Sequence, residues 1–373
     1  SFEIRANIGD QIVYSKKLQG GLVNGLDLLG LLRNGEVVTL PIGPGVPFDR
    51  VAIGVNTSVG LSLASSPLRV YNVERYGGAN SPVLSCPDPN PIIPPNPTDH
   101  MLSQKDCATS VVSSEYANFP FNAVDGNNDT YTTLEASSGT AAGIGSYSGH
   151  IELGFSQPKT AGTTTYIRVD FDNEVLGGLL NGSVGQLLGG VVNNVLFGSH
   201  YFTVDAKNNG TSVLSGSSNT GFYNTEGRVK VVQDKLGRYY IAITPNADYN
   251  SIRITESLGA LLGLGEIRNM NVYHACVSTG SEPCEQAFDT YTASNGISLD
   301  LLGAGNAGVT NAQNAIDGNA NTASSISIGA AGVAASVYQY VDFHTLSAVT
   351  DHFRVKLKMD GGSVISAEVL GSI

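Results

Sequence analysis

Two stretches of this chain carry side chains suited to holding a ligand. Asn122–Thr130 and Asn314–Thr322 share the pattern Asn-Ala-x-Asp-Gly-Asn-x-x-Thr. In each, glycine permits a tight turn or a positive φ, while Asp, Asn and Thr present side-chain oxygens beside kinked carbonyls. A hard, oxygen-only donor set of this kind suits Ca2+, which makes Asp125, Asn127 and Thr130, with Asp317, Asn319 and Thr322, candidate ligands of a structural ion. The same residues suit a turn closed on itself by Asx hydrogen bonds, and the loop chemistry does not separate the two.

The four cysteines are the other chemistry-bearing group. An even count without Cys-x-x-Cys spacing and with sparse histidine points to disulfides rather than a metal site, and persistent disulfides imply an oxidising compartment. Cys86 follows Tyr71–Val73 much as Cys276 follows Asn271–Tyr273, and these matched positions predict Cys86–Cys107 and Cys276–Cys284, each closing a short loop at a junction.

The elements that carry these residues repeat. Phe2–Ala6 matches Phe202–Ala206, Phe48–Ile53 matches Tyr249–Ile254, Arg69–Val73 matches Arg268–Val272 and Tyr166–Val169 matches Phe353–Lys356. The offsets are roughly 185 to 200 residues, far longer than a solenoid unit of roughly 20 to 50, so each unit is a whole domain. The phase gives the back half of a unit at 1–85, a Pro-rich linker at 86–107, a complete unit at 108–275, a short linker at 276–284 and the front half of a further unit at 285–373. The expectation is a window on a longer tandem array, beads on a string. Pro87–Pro97 fits an extended spacer, because proline fixes φ and removes donors.

Short runs such as Tyr166–Phe171 and Tyr239–Ile243 alternate apolar and polar residues, the period of half-buried strands, and no long segment has helical periodicity. The fold class read from this is all-β: tandem β-sandwich, jelly-roll-like domains. Three Gly/Leu-rich segments, 20–32, 175–197 and 258–265, are expected to form turns that plug sandwich ends; self-association patches are the other reading. The formal net charge of -12 argues against nucleic acid, since phosphate contact needs clustered Lys and Arg. No uninterrupted apolar run reaches the roughly 18 residues of a membrane span.

The Asp-Gly-Asn-x-x-Thr loop resembles that of discoidin-like, F5/8 type C modules, which share a galactose-binding jelly roll with many carbohydrate-binding modules. The resemblance covers about Cys107 to Ala275. It implies a structural Ca2+ in the loop, completed by a Glu-Ile pair near the last strand; here that pair is Glu266-Ile267. The chain departs from the family in having no Trp: Tyr131 or Ala323 stands where one follows the Thr. Ser66-Pro67-Leu68 stands where the first unit would carry Glu-Ile. In the unit that holds Asp317, the late Glu lies beyond the chain end.

A second resemblance, of pattern, spans nearly the whole chain. The loop motif, the Leu/Gly runs, Pro47–Ile53 and Leu68–Val73 are together similar to the tandem repeats of giant surface adhesins of gliding Bacteroidetes, exported by type IX secretion. It implies a bacterial cell-surface stalk or filament for adhesion or gliding motility, with neighbouring repeat units, surface glycans and the motility or secretion machinery as partners. The alternative is an array of glycan-binding modules, for which Tyr131, Tyr147 and Tyr223 are available as a platform. An enzyme is not expected. There is no Gly-x-Ser-x-Gly elbow, His-Glu-x-x-His or phosphate loop, and His150, His200 and His274 are separated in strand-like context.

Overall fold

In the computed structural model the described residues are 2–18, 35–56, 67–77, 105–139, 145–181, 200–259, 266–278, 287–298, 308–328, 332–343 and 345–359. The N-terminal segment supplies β1 (Phe2–Ile8), β2 (Gln11–Leu18), β3 (Val38–Ile42), β4 (Arg50–Asn56) and β5 (Leu68–Tyr76). The middle supplies β6 (Lys105–Cys107), β7 (Ser110–Glu115), β8 (Ala117–Asn118), β9 (Thr132–Ser137), β10 (His150–Lys159), β11 (Thr165–Asp170), helix α1 (Asn173–Leu180), β12 (His200–Asn208), β13 (Thr211–Ser217), β14 (Val229–Gln233), β15 (Tyr239–Ile243), β16 (Tyr249–Leu258) and β17 (Ile267–Ser278). The C-terminal segment supplies β18 (Asp289–Ser298), β19 (Gly308–Thr310), β20 (Ser324–Ser327), β21 (Gly332–Asp342) and β22 (His352–Met359).

The chain forms two compact units. Unit 1 is Ser1–Met101, Gln233–Gly237 and Ser281–Ile373; unit 2 is Leu102–Val232 and Arg238–Gly280. The terminal segments, which the repeat phase assigns to two different units, therefore lie in one. In unit 2 the strand orders are β13-β12-β16-β10-β7 and β14-β15-β11-β17-β9-β8. In unit 1 they are β2-β1-β4-β21-β18 and β3-β22-β5-β20-β19. Apart from β14 and β6, substituting each strand for its counterpart turns one pair of sheets into the other. Unit 1 is thus a circular permutant of unit 2: the same antiparallel sandwich, with its front half at the C-terminus and its back half at the N-terminus.

The alternation expected from sequence packs the core. Phe2, Ile4 and Ala6 of β1 are buried, as are Phe202, Val204 and Ala206 of β12. Phe48 and Tyr249 are both fully buried at matching places before β4 and in β16. Their partners covary: Tyr249 shares a hydrogen bond with Thr165 at 2.7 Å, whereas Phe48 packs edge-on against Phe353 at 5.4 Å.

Strand pairing corrects two of the sequence matches. Thr132 and Thr133 sit opposite Val272 and Asn271, while Ser324 and Ser325 sit opposite Val70 and Arg69. Val70 therefore corresponds to Val272 and Tyr71 to Tyr273, three residues from the match read along the chain. Arg168 faces His274 and Lys356 faces Asn72 across equivalent bulges, so Arg168 corresponds to Lys356 and Thr165 to Phe353. Register follows hydrogen-bonded partners and the buried face, and a slip of one residue inverts every side chain.

The cysteine pairing is also corrected. The disulfide joins Cys107 to Cys276, not Cys107 to Cys86 or Cys276 to Cys284. β6 lies antiparallel on β17 with Cys107 directly opposite Cys276, so the first and last strands of unit 2 are tied together. The bridge spans 169 residues of sequence, which in the chain-entropy account contributes about 5 kcal/mol, against about 3 for a short junction loop. Cys86 and Cys284 lie outside the described residues.

Of the three Gly/Leu-rich segments, the start of 175–197 is seen as α1. The Asp172 carboxylate caps it, accepting from the amides of Glu174 and Val175, and Val175, Leu176, Leu179 and Leu180 are buried. Segment 20–32 and most of 258–265 fall outside the described residues. Among the described residues no helix is long and apolar enough to cross a membrane.

Candidate functional site

In unit 2, a 3-10 turn at Pro120–Val124 leads into the Asp125 loop. Asp125 Oδ1 accepts from the Asn127 amide at 2.7 Å, and Asn127 Oδ1 from the Asp129 amide at 3.0 Å. The Thr130 hydroxyl reaches Asp125 Oδ2 at 2.8 Å and the Asn127 carbonyl at 3.1 Å. The loop in unit 1 repeats this bond for bond. Asp317 Oδ1 takes the Asn319 amide at 2.8 Å, Asn319 Oδ1 the Asn321 amide at 3.0 Å, and Thr322 reaches Asp317 Oδ2 at 2.6 Å and the Asn319 carbonyl at 2.9 Å. Burial pushes the Asp317 carboxyl up, against the hydrogen bonds that lower it.

A protein cation closes each loop. Arg168 Nη1 donates to the Asn128 carbonyl at 2.6 Å, its guanidinium carbon 3.9 Å from the Tyr273 ring centre. Lys356 Nζ donates to the Ala320 carbonyl at 3.3 Å and lies 5.5 Å from the Tyr71 ring centre. Both loops thus receive a positive charge from the equivalent strand, carried over an equivalent tyrosine. Comparing the repeats in correct register would have found this pair; matching residues along the chain did not.

Glu266 does not join the loop. Thr132, just after the loop, lies opposite Val272, and Ser137 lies opposite Ile267 at the other end of β9. The steps of strand from Thr132 to Ser137, roughly 3.4 Å each, put about 17 Å between the two ends. Glu266 instead exchanges backbone hydrogen bonds with Ser138 and pairs with Arg268. The four-residue cage expected from Asp125, Asn127, Thr130 and Glu266 is therefore not assembled. Among the described residues no group of three or more His, Cys, Asp or Glu side chains converges. A loop whose carboxylate oxygens serve its own donors, and which draws in a guanidinium, is a poor fit to a divalent ion.

The more distinctive surface lies beside this loop. Tyr116, Phe119, Phe121 and Tyr131 are 48%, 74%, 71% and 41% exposed. Tyr116 and Phe119 hold positive φ, 46° and 55°, a region that bulky residues avoid. The conformation is imposed by backbone bonds: the Tyr116 carbonyl accepts from the Glu135 amide at 2.9 Å and the Phe119 carbonyl from the Asn122 amide at 3.0 Å. Tyr147 stacks on Tyr116 with centroids 4.2 Å apart. Gly149 lets this edge close, since a Cβ there would stand 2.6 Å from the Glu135 carbonyl and 2.8 Å from that of Tyr116. Polar groups border the rings: Asn118 donates to Glu135 at 2.7 Å, and Ser148 bonds Ser257 at 3.0 Å.

Unit 1 builds the same 3-10 turn without the rings, although Gly308 holds φ 111° where Tyr116 holds 46°. The counterparts of Tyr116, Phe119, Phe121 and Tyr131 are Gly308, Asn311, Gln313 and Ala323. Asn311, like Phe119, begins a 3-10 turn, at φ 52°. Of the tyrosines expected as a platform, Tyr131 leans on Tyr273 at 5.2 Å, Tyr147 joins Tyr116, and Tyr223 is exposed on a separate turn after β13. The histidines are structural in setting: His200 shares a 2.6 Å hydrogen bond with the buried Glu256, and His150 and His274 are buried in strands.

No protein-family model matches the chain, and no curated protein does. Among solved structures, the family 32 CBM from C. perfringens NanJ in complex with galactose is similar at 16% identity, over 44% of this chain and 97% of that one, with a TM-score of 0.21. The infectious bursal disease virus Gt strain structure is similar at 10% identity, over 88% of this chain and 68% of that one, with a TM-score of 0.17.

Proposed function

We propose that this chain is a non-catalytic segment of an extracellular adhesin, in which unit 2 binds a glycan on its β8–β9 edge and unit 1 serves as structural scaffold. One observation carries this reading: the exposed aromatics Tyr116, Phe119 and Phe121 occupy a turn that unit 1 builds with Gly308, Asn311 and Gln313. A bulky side chain at positive φ costs on the order of 1 kcal/mol or more, and Asn or Gly would avoid it. Since the same turn folds without the rings, they do not serve the fold. Exposed aromatic faces bordered by polar groups suit the apolar face of a sugar ring, with Asn118 and Glu135 placed to meet hydroxyls.

The disulfide supports an oxidising, extracellular setting, and the internal repeat supports a place in a longer array on a bacterial surface. Type IX export and a part in gliding motility rest on the sequence pattern. The test is a glycan array probed with the full chain, followed by titration of the best sugar against Phe119→Ala and Phe121→Ala. Binding weakened at least tenfold by either change, with the thermal midpoint unchanged or raised, is expected. Silence across neutral, acidic and amino sugars would overturn the glycan reading.

A further inference from the structure

Lysine and arginine are sparse in this chain, 20 among 373 residues, yet four of them share one face of unit 1. On β22 the apolar Phe353, Val355 and Leu357 are buried, so Arg354, Lys356 and Lys358 project from the opposite face of the sheet. Arg354 is exposed, and Lys356 and Lys358 are half-exposed. Each stands two residues from the next, so the three span about 14 Å at roughly 3.4 Å per residue. Arg69 of β5 lies directly opposite Lys358 and joins the row. Among the described strand positions of this face the one carboxylate is Glu74, which accepts from Arg354 Nε. Tyrosine rings lie beneath the cations: the Arg354 guanidinium is 6.0 Å from the ring centre of Tyr76, and Lys356 Nζ is 5.5 Å from that of Tyr71. Hydroxyls flank the row, with Thr39 of β3 opposite Lys356 and Ser325 of β20 opposite Arg69.

The fold does not require this row. At the same strand positions unit 2 carries Tyr166, Arg168 and Asp170, and Asn271 stands where unit 1 has Arg69. Asp170 offsets Arg168 and accepts from the Tyr273 hydroxyl, so this face of unit 2 is close to neutral. In unit 1 four cations meet one carboxylate. Like charges directly opposite each other weaken a sheet, so Lys358 facing Arg69 costs the sandwich something that Asp170 facing Asn271 does not. The row is also a local exception in an acidic chain, whose formal net charge is -12. An anion laid over it would offset the repulsion that the sandwich otherwise carries.

We propose that this face of unit 1 binds an acidic polysaccharide, a linear chain of carboxylate-bearing sugars laid along β22. It gives a ligand to the unit that otherwise serves as scaffold, and it is independent of what the β8–β9 edge of unit 2 binds. Charge complementarity selects a polyanion, and a single file of cations selects a linear one. The face already shows its fit to a carboxylate in the Arg354–Glu74 pair. A guanidinium has five N–H donors, so Arg354 can hold Glu74 and a ligand carboxylate together. Lys356 and Lys358 add point charges, while Thr39, Ser325 and the rings of Tyr71 and Tyr76 suit sugar hydroxyls and apolar sugar faces. Duplex nucleic acid fits less well: it is commonly held through roughly six to ten phosphates, and this row offers four cations. A lipid surface also fits less well, since among the described residues none of the exposed large apolar side chains lies on β5 or β22.

The test titrates the full chain with polygalacturonate oligomers at low salt, with duplex DNA and phosphatidylglycerol vesicles as competing polyanions. The double variant Arg69→Asn with Lys358→Asp installs the residues that unit 2 carries at these positions, so the sandwich has a precedent for folding with them. It should bind polygalacturonate at least tenfold more weakly than the wild type, with a shallower salt dependence and a thermal midpoint unchanged or raised. Lys358→Gln alone should lose binding to an intermediate extent. Neither variant touches the β8–β9 edge, so a loss confined to them reports on unit 1. The proposal is overturned if the wild type does not bind polygalacturonate, or if the double variant binds it as the wild type does. It is equally overturned if DNA or the vesicles are bound more tightly than polygalacturonate.

Discussion

Glu3 of unit 1 is a buried carboxylate at the seam where the two terminal segments meet, and its neutralisation should weaken the unit in a defined pH range. Its oxygens accept from Arg5 Nε at 3.0 Å and Nη2 at 2.9 Å, from the hydroxyls of Ser15 and Tyr338 at 2.6 Å each, and from Asn56 at 3.2 Å. Burial pushes the carboxyl up, but the hydrogen bonds from Arg5, Ser15 and Tyr338 and the charge of Arg5 outweigh it and hold the group down at about 2, from an ordinary value of 4.5. A folded-state value below the unfolded one gives stability that is present above pH 4.5 and lost as the pH falls through 2. The difference corresponds to about 3 kcal/mol, of which roughly 2 should be gone by pH 3. Glu3→Gln removes the titration while keeping most of the shape. Denaturant unfolding followed from pH 7 to pH 2 should show the wild type losing this increment relative to the variant, with the two curves converging at the acid end. A constant gap between wild type and Glu3→Gln across that range would refute the assignment, because the seam contacts would then not depend on the Glu3 charge.

Two further outcomes follow from the corrected geometry. Peptide mapping without reduction should recover Cys107 joined to Cys276, and Cys107→Ser should cost several kcal/mol of unit 2 stability by freeing its end strands; a Cys86–Cys107 or Cys276–Cys284 peptide would contradict the strand register. Asp125→Ala should cost about 1 kcal/mol through loss of the turn's own hydrogen bonds, and the thermal midpoint of the wild type should agree within a degree in Ca2+ and in chelator. A rise of several degrees with Ca2+ would instead place an ion in the loop.

The period-two runs made the all-β sandwich legible, because alternation states directly which face of a strand is buried. The repeat itself was visible in Asp125–Thr130 and Asp317–Thr322, where turn chemistry leaves few residues to choose among. The matches of Phe2–Ala6 with Phe202–Ala206 and of Phe48–Ile53 with Tyr249–Ile254 held as well, but the other two registers did not. Arg69 and Arg268 looked equivalent as basic residues before apolar strands, yet the sheet pairs Val70 with Ser324 and Val272 with Thr132. The cysteine error has the same root. Matching Cys86 to Cys276 as junction residues favoured Cys86 for Cys107, whereas closing a sandwich brings its first and last strands together. The aromatic edge was only half legible: Tyr131 and Tyr147 were singled out by type, but Phe119 and Phe121 stand out only when set against Asn311 and Gln313 in the sister unit.

The permutation also bears on how the terminal segments behave. The N-terminal segment contributes β1, β2 and β4 to one sheet of unit 1 and β3 and β5 to the other; the C-terminal segment contributes β18 and β21 to the first and β19, β20 and β22 to the second. Neither segment is therefore a layer that could stand alone. Apart, the N-terminal piece would expose Phe48, Ile53 and Val70, and the C-terminal piece Val341, Phe353 and Val355, all of which the closed unit buries. Each such side chain left in water forfeits roughly 1.5 to 3 kcal/mol. That sum is comparable to the whole stability of a domain, so sealing is close to all-or-none and association is coupled to folding. Unit 2, whose halves share one continuous stretch of chain and whose end strands are bound by Cys107–Cys276, is spared that step. Both units nevertheless carry charge across this seam: Arg50 meets Asp342 in unit 1, and Glu152 accepts from Lys207 and Ser251 in unit 2.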